Sequence, residues 1–169
     1  MLNREEIRTL ITEKKLVVGF IDLEKQLTPN GFDLSVREVY AFDSSGGLDF
    51  SNARRILPVC RAVVAQRTAA DDKGWWELAP GAYKVVTNET VTLPCDMIAF
   101  AFPRSSLLRM GAGVQTGVWD AGFSGVSEFL VTVFNQHGVR LQRDARVVQL
   151  VFARMTATER GYDGVYQQR

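Results

Sequence analysis

The sequence predicts an all-β fold, a barrel or a sandwich, and three observations predict it. After Lys14-Lys15 the chain breaks into short apolar runs rich in Val, Phe and Thr, punctuated by Gly, Pro, Asn and Asp. That is the texture of strands joined by tight turns. A single amphipathic helix precedes the change. The 169 residues, 46% hydrophobic and 23% charged, suit one domain with a continuous core, and no internal repeat, low-complexity block or linker divides them.

Each element follows from its residues. Asn3 with Glu6 three positions on has the form of a capping box, and Ile7, Leu10 and Ile11 recur at helical spacing, so a short helix opens the chain. Strands are expected over 36–42, 56–64, 82–87, 90–93, 97–102, 128–134 and 146–152, where β-branched and aromatic residues concentrate. Asn88-Glu89 is expected to turn one hairpin, and 44–47 and 69–74 to form exposed loops. Pro103, then Ser105 and Ser106 as capping hydroxyls, then Leu107, Leu108 and Arg109, predict one or two helical turns. Residues 1–158 read as one β-domain. The tail, 159–169, has little to anchor it and is expected to be mobile unless a ligand or a neighbouring subunit holds it.

Charge and cysteine content exclude several classes. The formal net charge is +1, so no global field draws the protein to nucleic acid or to acidic lipid, and a polyanionic ligand must be bound locally. Cys60 and Cys95 lack metal-ligand spacing and are expected as reduced core thiols, and His137, the only histidine, as a structural turn residue. The polar opening, Asn3-Arg4-Glu5-Glu6, is unlike a secretory signal, and no run approaches a membrane span. A cytoplasmic location follows as the expectation.

Four stretches carry candidate chemistry, each beside a plainer reading. Pro29-Asn30-Gly31-Phe32-Asp33-Leu34 brings Asp33 to the start of an apolar strand, as a backbone cap or as a carboxylate near a metal-bound phosphate. Arg104-Ser105-Ser106 at a helix start, with Arg109, is either a solvated surface or an anion site with fork-shaped donors. Gly117 to Gly125 sets Asp120 between a strand end and a glycine-spaced turn, as a loop acid or as a group oriented to take a proton from water. Gln149 stands alone as an amide in an apolar strand and must find a partner, structural or ligand.

In order and spacing these stretches resemble, over nearly the whole chain, the superfamily of trimeric deoxyuridine triphosphatases (dUTPases) and deoxycytidine triphosphate deaminases, most of all its archaeal dUTPase subgroup. The tail, Gly161-Tyr162-Asp163-Gly164-Val165-Tyr166-Gln167-Gln168, is similar to the deaminase-type C-terminus, departing from it at Val165, where a phosphate-binding Lys is common. The resemblance implies a distorted β-barrel or jelly roll of the dUTPase-like β-clip type, assembled as a homotrimer with active sites at subunit interfaces. It implies dUTP as substrate, hydrolysed to dUMP and pyrophosphate with Mg2+ held mainly through substrate phosphates and waters. Asp120 would activate the water and Asp33 would support metal-bound water. Arg104, Ser105, Ser106, Arg109 and Gln149 would hold phosphate. Main-chain groups near Gly117 would read uracil, and Phe123 would pack on deoxyribose and exclude a ribose hydroxyl. Tyr162, Tyr166, Gln167 and Gln168 would contact nucleotide from the tail.

Two other functions compete. In the family's deaminases a Glu follows on the next strand, and Leu130 falls at that place here, which argues against deamination because leucine carries no proton. Glu128, two residues earlier on the same strand face, keeps a dCTP deaminase or a bifunctional enzyme as the alternative. A non-catalytic nucleotide-binding regulator is the third reading. Trp119 is expected in packing rather than in chemistry.

Overall fold

The computed structural model describes residues 1–69 and 71–168. Ala70, inside the loop expected at 69–74, and Arg169, the last tail residue, lie outside the described residues. The opening helix, α1 (Arg4–Lys14), carries the expected capping box: Asn3 Oδ1 accepts from Glu6 N at 2.9 Å and Glu6 Oε2 accepts from Asn3 N at 3.0 Å. Its Ile7 and Ile11 are buried against the sheet core with Leu2 and Leu16.

The remainder is a barrel-like nine-stranded sheet with a small three-stranded sheet beside it. Its central strands are β3 (Gly31–Phe42), β7 (Gly81–Thr92), β8 (Met97–Pro103), β9 (Ala112–Gln115), β10 (Ser124–Val133) and β12 (Arg146–Arg154). They run in the order β8-β12-β3-β7-β10-β9, with β1 (Val17–Val18), β2 (Leu27–Thr28) and β4 (Cys60–Ala62) paired at the margins. The small sheet orders β11 (Val139–Gln142), β6 (Asp71–Leu78) and β5 (Gln66–Thr68). Two one-turn helices, α2 (Leu23–Gln26) and α3 (Ser105–Arg109), complete the chain. The core is built from alternate positions, with Phe32, Leu34, Val85, Val131, Leu150 and Phe152 fully enclosed. Among the described residues no helix is long and apolar enough to cross a membrane.

Several expectations are corrected. The strand expected over 56–64 shrinks to Cys60–Ala62, with Ile56 bridging Gly47, because Pro58 has no N–H to donate. Asn88-Glu89 does not turn a hairpin. Strand β7 runs through it, and the pairing with β10 jumps from Val126↔Thr90 to Glu128↔Val86, so the turn-prone pair becomes a bulge. Glu89 is wholly buried there: it accepts from Ser35 N at 2.9 Å, Ser35 Oγ at 2.6 Å and Gln26 Nε2 at 2.6 Å. The expected loop at 69–74 is largely strand, with β6 starting at Asp71. Strands β6, β9 and β11 have no counterpart in the sequence reading. Helix α3 starts at Ser105 after Arg104 and has no side-chain cap, so its serine hydroxyls remain exposed. Both cysteines are free as expected, but neither is core: Cys60 is half-buried and Cys95 exposed.

Candidate functional site

The third stretch is pinned from its buried side. Trp119 exchanges backbone hydrogen bonds with Ala99 at 3.0 Å each way, and its indole Nε1 donates to Ser127 Oγ at 2.8 Å. Trp119 is therefore packing, as expected, and its anchorage fixes the next residue, Asp120, at a rim. Phe123 N donates to Asp120 O at 3.0 Å, closing a turn that Gly122 completes with φ +82°. The exposed Asp120 carboxylate makes no hydrogen bond or ion pair among the described residues.

It lines a cavity of about 650 Å³ together with Gly117, Phe123, Tyr162 and Tyr166. Glu128 and Leu130, on one face of β10, also line it, with Arg37 and Lys84. Lys84 Nζ sits 3.2 Å from Glu128 Oε2 and 4.8 Å above the Tyr40 ring. The pocket thus holds one free acid and one neutralised acid. Around Gly117 nothing lies within 4 Å of the position a Cβ would take, so open space rather than crowding surrounds that main chain.

Asp33 lies elsewhere and in the opposite state. It is 1% exposed, and its Oδ2 takes Arg104 Nε at 2.9 Å and Arg146 Nη1 at 3.2 Å, while the buried Oδ1 has no partner among the described residues. Burial pushes its carboxyl up from the usual aspartate range, against the pull of Arg104 and Arg146. Arg104 N also donates to Val147 O at 2.9 Å, and its guanidinium to Arg146 O at 3.3 Å. One carboxylate and two guanidiniums leave the cluster net positive. Gln149 finds a structural partner: its Nε2 donates to Thr28 Oγ1 at 2.8 Å and to Asn30 Oδ1 at 3.4 Å. Gly31 is required beside it, because a Cβ there would stand 2.3 Å from Leu150 O. Ser105, Ser106 and Arg109 are exposed on α3 nearby in sequence.

The tail folds back on its own chain. Tyr162 N donates to Ala121 O at 2.8 Å, Gln167 Oε1 accepts from Ser124 N and its Nε2 donates to Gly122 O, both at 2.9 Å, and Gln168 N donates to Ser124 O at 2.7 Å. Gly122 and Gly161 allow this approach, since a Cβ on Gly122 would meet Gly161 Cα at 2.7 Å. Tyr162 packs edge-on against Phe123, centroids 5.7 Å apart. Tyr166 reaches the cavity mouth under Arg55.

The chain therefore joins Gly117, Asp120, Phe123, Tyr162 and Tyr166 into one pocket, leaves Gln167 and Gln168 bonded to the 122–124 backbone outside its lining, and gathers Asp33 with Arg104 into a separate cluster, beside which Gln149 and α3 lie in sequence. Ala99 pairs with Trp119 next to Asp120, whereas Arg104 lies five residues further along an extended strand, about 16 Å away at ~3.3 Å per residue. Sequence reasoning missed Arg146, Lys84 and Arg37. Arg146 escaped because a bulge between Arg146 and Val148 interrupts strand alternation, so residues 146 and 149 are both half-buried although three apart. Arg37 likewise sits at a register shift in β3. Among the described residues no group of three or more His, Cys, Asp or Glu could hold a metal ion.

Comparison with known proteins agrees with this architecture. The family model described as dCTP deaminase-like matches residues 1–155. A protein of Archaeoglobus fulgidus named "probable deoxyuridine 5'-triphosphate nucleotidohydrolase" is 44% identical over 167 residues, covering 99% of this chain and 95% of its own. A Methanocaldococcus jannaschii protein named deoxyuridine 5'-triphosphate nucleotidohydrolase is 34% identical over 146 residues, covering 86% and 90%. The crystal structure of 2'-deoxycytidine 5'-triphosphate deaminase from Agrobacterium tumefaciens shares the fold, with a TM-score of 0.65 and 24% identity over 92% of this chain, which spans 48% of that longer one. The matching model, the near full-length archaeal relatives and the shared barrel together place this chain in the dCTP deaminase-like family.

Proposed function

We propose that the protein hydrolyses dUTP to dUMP and pyrophosphate in clefts shared between copies of the chain in a homotrimer. The observation that carries this reading is the Asp120 carboxylate, unpaired and facing a nucleotide-sized cavity floored by strand β10. The names of the archaeal relatives support the choice of substrate.

In the proposed reaction Asp120 accepts a proton from water as the water oxygen bonds to the α-phosphorus and the bond to the β-phosphate bridge breaks. Pyrophosphate leaves with the electron pair of that bond. Phe123, braced by Tyr162, packs on the deoxyribose and offers no partner to a ribose hydroxyl, which disfavours UTP. Main-chain groups around Gly117 read the base. Arg104 and Arg146, held by Asp33, offer bidentate donors to phosphate, with Ser105, Ser106, Arg109 and Gln149 completing the cradle. Arg104 lies about 16 Å along the chain from Ala99, the residue that pairs with Trp119 beside Asp120, so in this reading a neighbouring copy supplies the cradle. Exposed Phe100, Phe102 and Leu108 on β8 and α3 are apolar surface available to such an interface.

Magnesium fits the donor set as a substrate-borne ion, because it keeps several waters and needs few carboxylates from protein. Asp33, whose Oδ1 is closed to solvent, would support the ion indirectly, by orienting Arg104 and Arg146 toward the phosphates that carry it rather than by holding a metal-bound water. The bound ion supplies charge stabilisation of the leaving pyrophosphate.

A second reading is favoured by one observation. Glu128 shares the cavity with Asp120, so dCTP deamination has an acid available if Lys84 releases it. Incubating the pure protein with dUTP, dCTP and UTP side by side, with magnesium, separates the cases. Pyrophosphate and dUMP from dUTP, with no turnover of UTP or dCTP, is the expected result. Ammonia from dCTP assigns Glu128 a proton-transfer role, and binding of dUTP without pyrophosphate release makes the protein a regulator.

A further inference from the structure

We propose that residues 43–59 form an arm that receives the C-terminal tail, with Arg55 as a positioning residue that holds Tyr166 over the mouth of the Asp120 pocket. This deepens the hydrolase reading and rests on it for its catalytic consequence.

The arm is braced by its own bonds. Asp43 N donates to Val59 O at 2.9 Å, Val59 N to Ser44 Oγ at 2.8 Å, and Gly47 and Ile56 exchange backbone bonds at 2.9 and 2.8 Å. At its tip Asp49 Oδ1 accepts from Arg54 N at 3.0 Å. Such a ladder sets the position of Arg55 at the arm's return. The base of the arm is part of the pocket, since Phe42, Leu57 and Pro58 line it. Across the mouth, the tail is fastened at Tyr162 and again at Gln167 and Gln168 to the loop that follows Asp120. The four residues between these fastenings cross the opening, and Tyr166 meets the arm there, with Arg55 Cζ 5.7 Å from its ring centroid. The arm, the tail and the Asp120 loop thus form a ring around the cavity, and the Arg55–Tyr166 stack links its first two members.

The strength of the link suits a cover that must also open. A cation over an exposed aromatic face is worth ~0.5–1 kcal/mol, enough to change the closed population about two- to five-fold without trapping product. Arg55 acts through Tyr166, so its removal should loosen the cover without touching the chemistry.

The test uses the full chain with Arg55→Ala, Arg55→Lys, Tyr166→Leu and the double variant Arg55→Ala with Tyr166→Leu. Trypsin cutting after Arg160 releases the last nine residues, and mass spectrometry of that peptide reports tail opening with no need for catalysis. Arg55→Ala should speed that cut about two- to five-fold and Tyr166→Leu at least as much, the double variant no more than Tyr166→Leu alone, and Arg55→Lys less than Arg55→Ala. In Arg55→Ala, which lies outside the pocket lining, KM for dUTP should rise by a similar factor, with kcat within about two-fold of wild type. Cutting at the wild-type rate in Arg55→Ala, or multiplied effects in the double variant, overturns the proposal. If the variants are cut faster while the wild type releases no pyrophosphate from dUTP, the arm–tail contact stands and the hydrolase reading is what fails.

Discussion

Asp120 and Asp33 put the same side chain into opposite surroundings. Asp120 is exposed on a loop, held in place through its buried neighbour Trp119, and its carboxylate is bonded to nothing among the described residues. Asp33 is enclosed on a central strand and gives its Oδ2 to two arginines. An acid that must take a proton from water needs its lone pairs free and its position fixed by others. An acid already shared between Arg104 and Arg146 instead fixes the position of those cations. The contrast divides the proposed site into a chemical half and a scaffolding half, and substitutions in the two halves should fail in different ways.

Asp120→Asn should lower kcat for dUTP by about 10²–10⁴-fold, the usual contribution of a positioned general base, and leave KM nearly unchanged. Because the side chain is exposed and unpaired, urea unfolding should place the variant within ~0.5 kcal/mol of wild type. Undiminished turnover would remove Asp120 from the chemistry altogether. A large loss of stability would show that it, too, is part of the scaffold.

Asp33→Asn should do the reverse. Removing one partner of a buried pair costs ~3–5 kcal/mol, but Arg104 and Arg146 keep about a third of their side-chain exposure and can be partly rehydrated. About 2–4 kcal/mol lost in urea unfolding is the expectation. Under conditions where the variant stays folded, KM for dUTP should rise more than kcat falls, because the guanidiniums lose their orientation rather than the reaction its base. A stable variant with unchanged KM would mean that the arginines need no anchor.

The scaffolding half was the less legible of the two in the sequence. The four stretches stand in family order, and Asp33, Arg104 and Asp120 stand out as candidates from residue type and position, whereas Phe123 is singled out only through the family resemblance. The opening helix is equally plain, since a capping box and a helical apolar stripe are local signals. What escaped depends on register. Arg146 meets Asp33 only because β12 bulges, and Asn88-Glu89 has turn composition yet lies within a continuous strand whose pairing skips. The strands β6 and β11 were missed for another reason. They are paired with each other rather than with the main sheet, and Gly74 interrupts the run of one of them. The proposed contribution of a second copy has no local signal at all, because it would be set by where the end of β8 and the Asp120 loop fall on the barrel.

Glu89 adds a third carboxylate state, buried like Asp33 but satisfied by the neutral donors Ser35 and Gln26. Burial pushes its carboxyl above the usual glutamate range, and those hydrogen bonds only partly offset the shift. The folded protein therefore holds the proton to higher pH than the unfolded chain, whose glutamate titrates near ~4.3. Stability from this group is complete below the unfolded value and declines as pH rises through the folded one. Glu89→Gln abolishes that titration and sets its amide NH2 against another donor, Gln26 Nε2 or Ser35 N depending on the rotamer, at a cost of ~1–3 kcal/mol in mild acid. Subtracting urea stabilities of variant and wild type at each pH cancels Asp33, which shifts in the same direction. The difference should shrink as pH rises above the unfolded value, since the Glu89 contribution is lost from the wild type alone. A difference that is flat with pH would mean that folding leaves the Glu89 carboxyl where it titrates in the unfolded chain, its neutral donors offsetting burial in full.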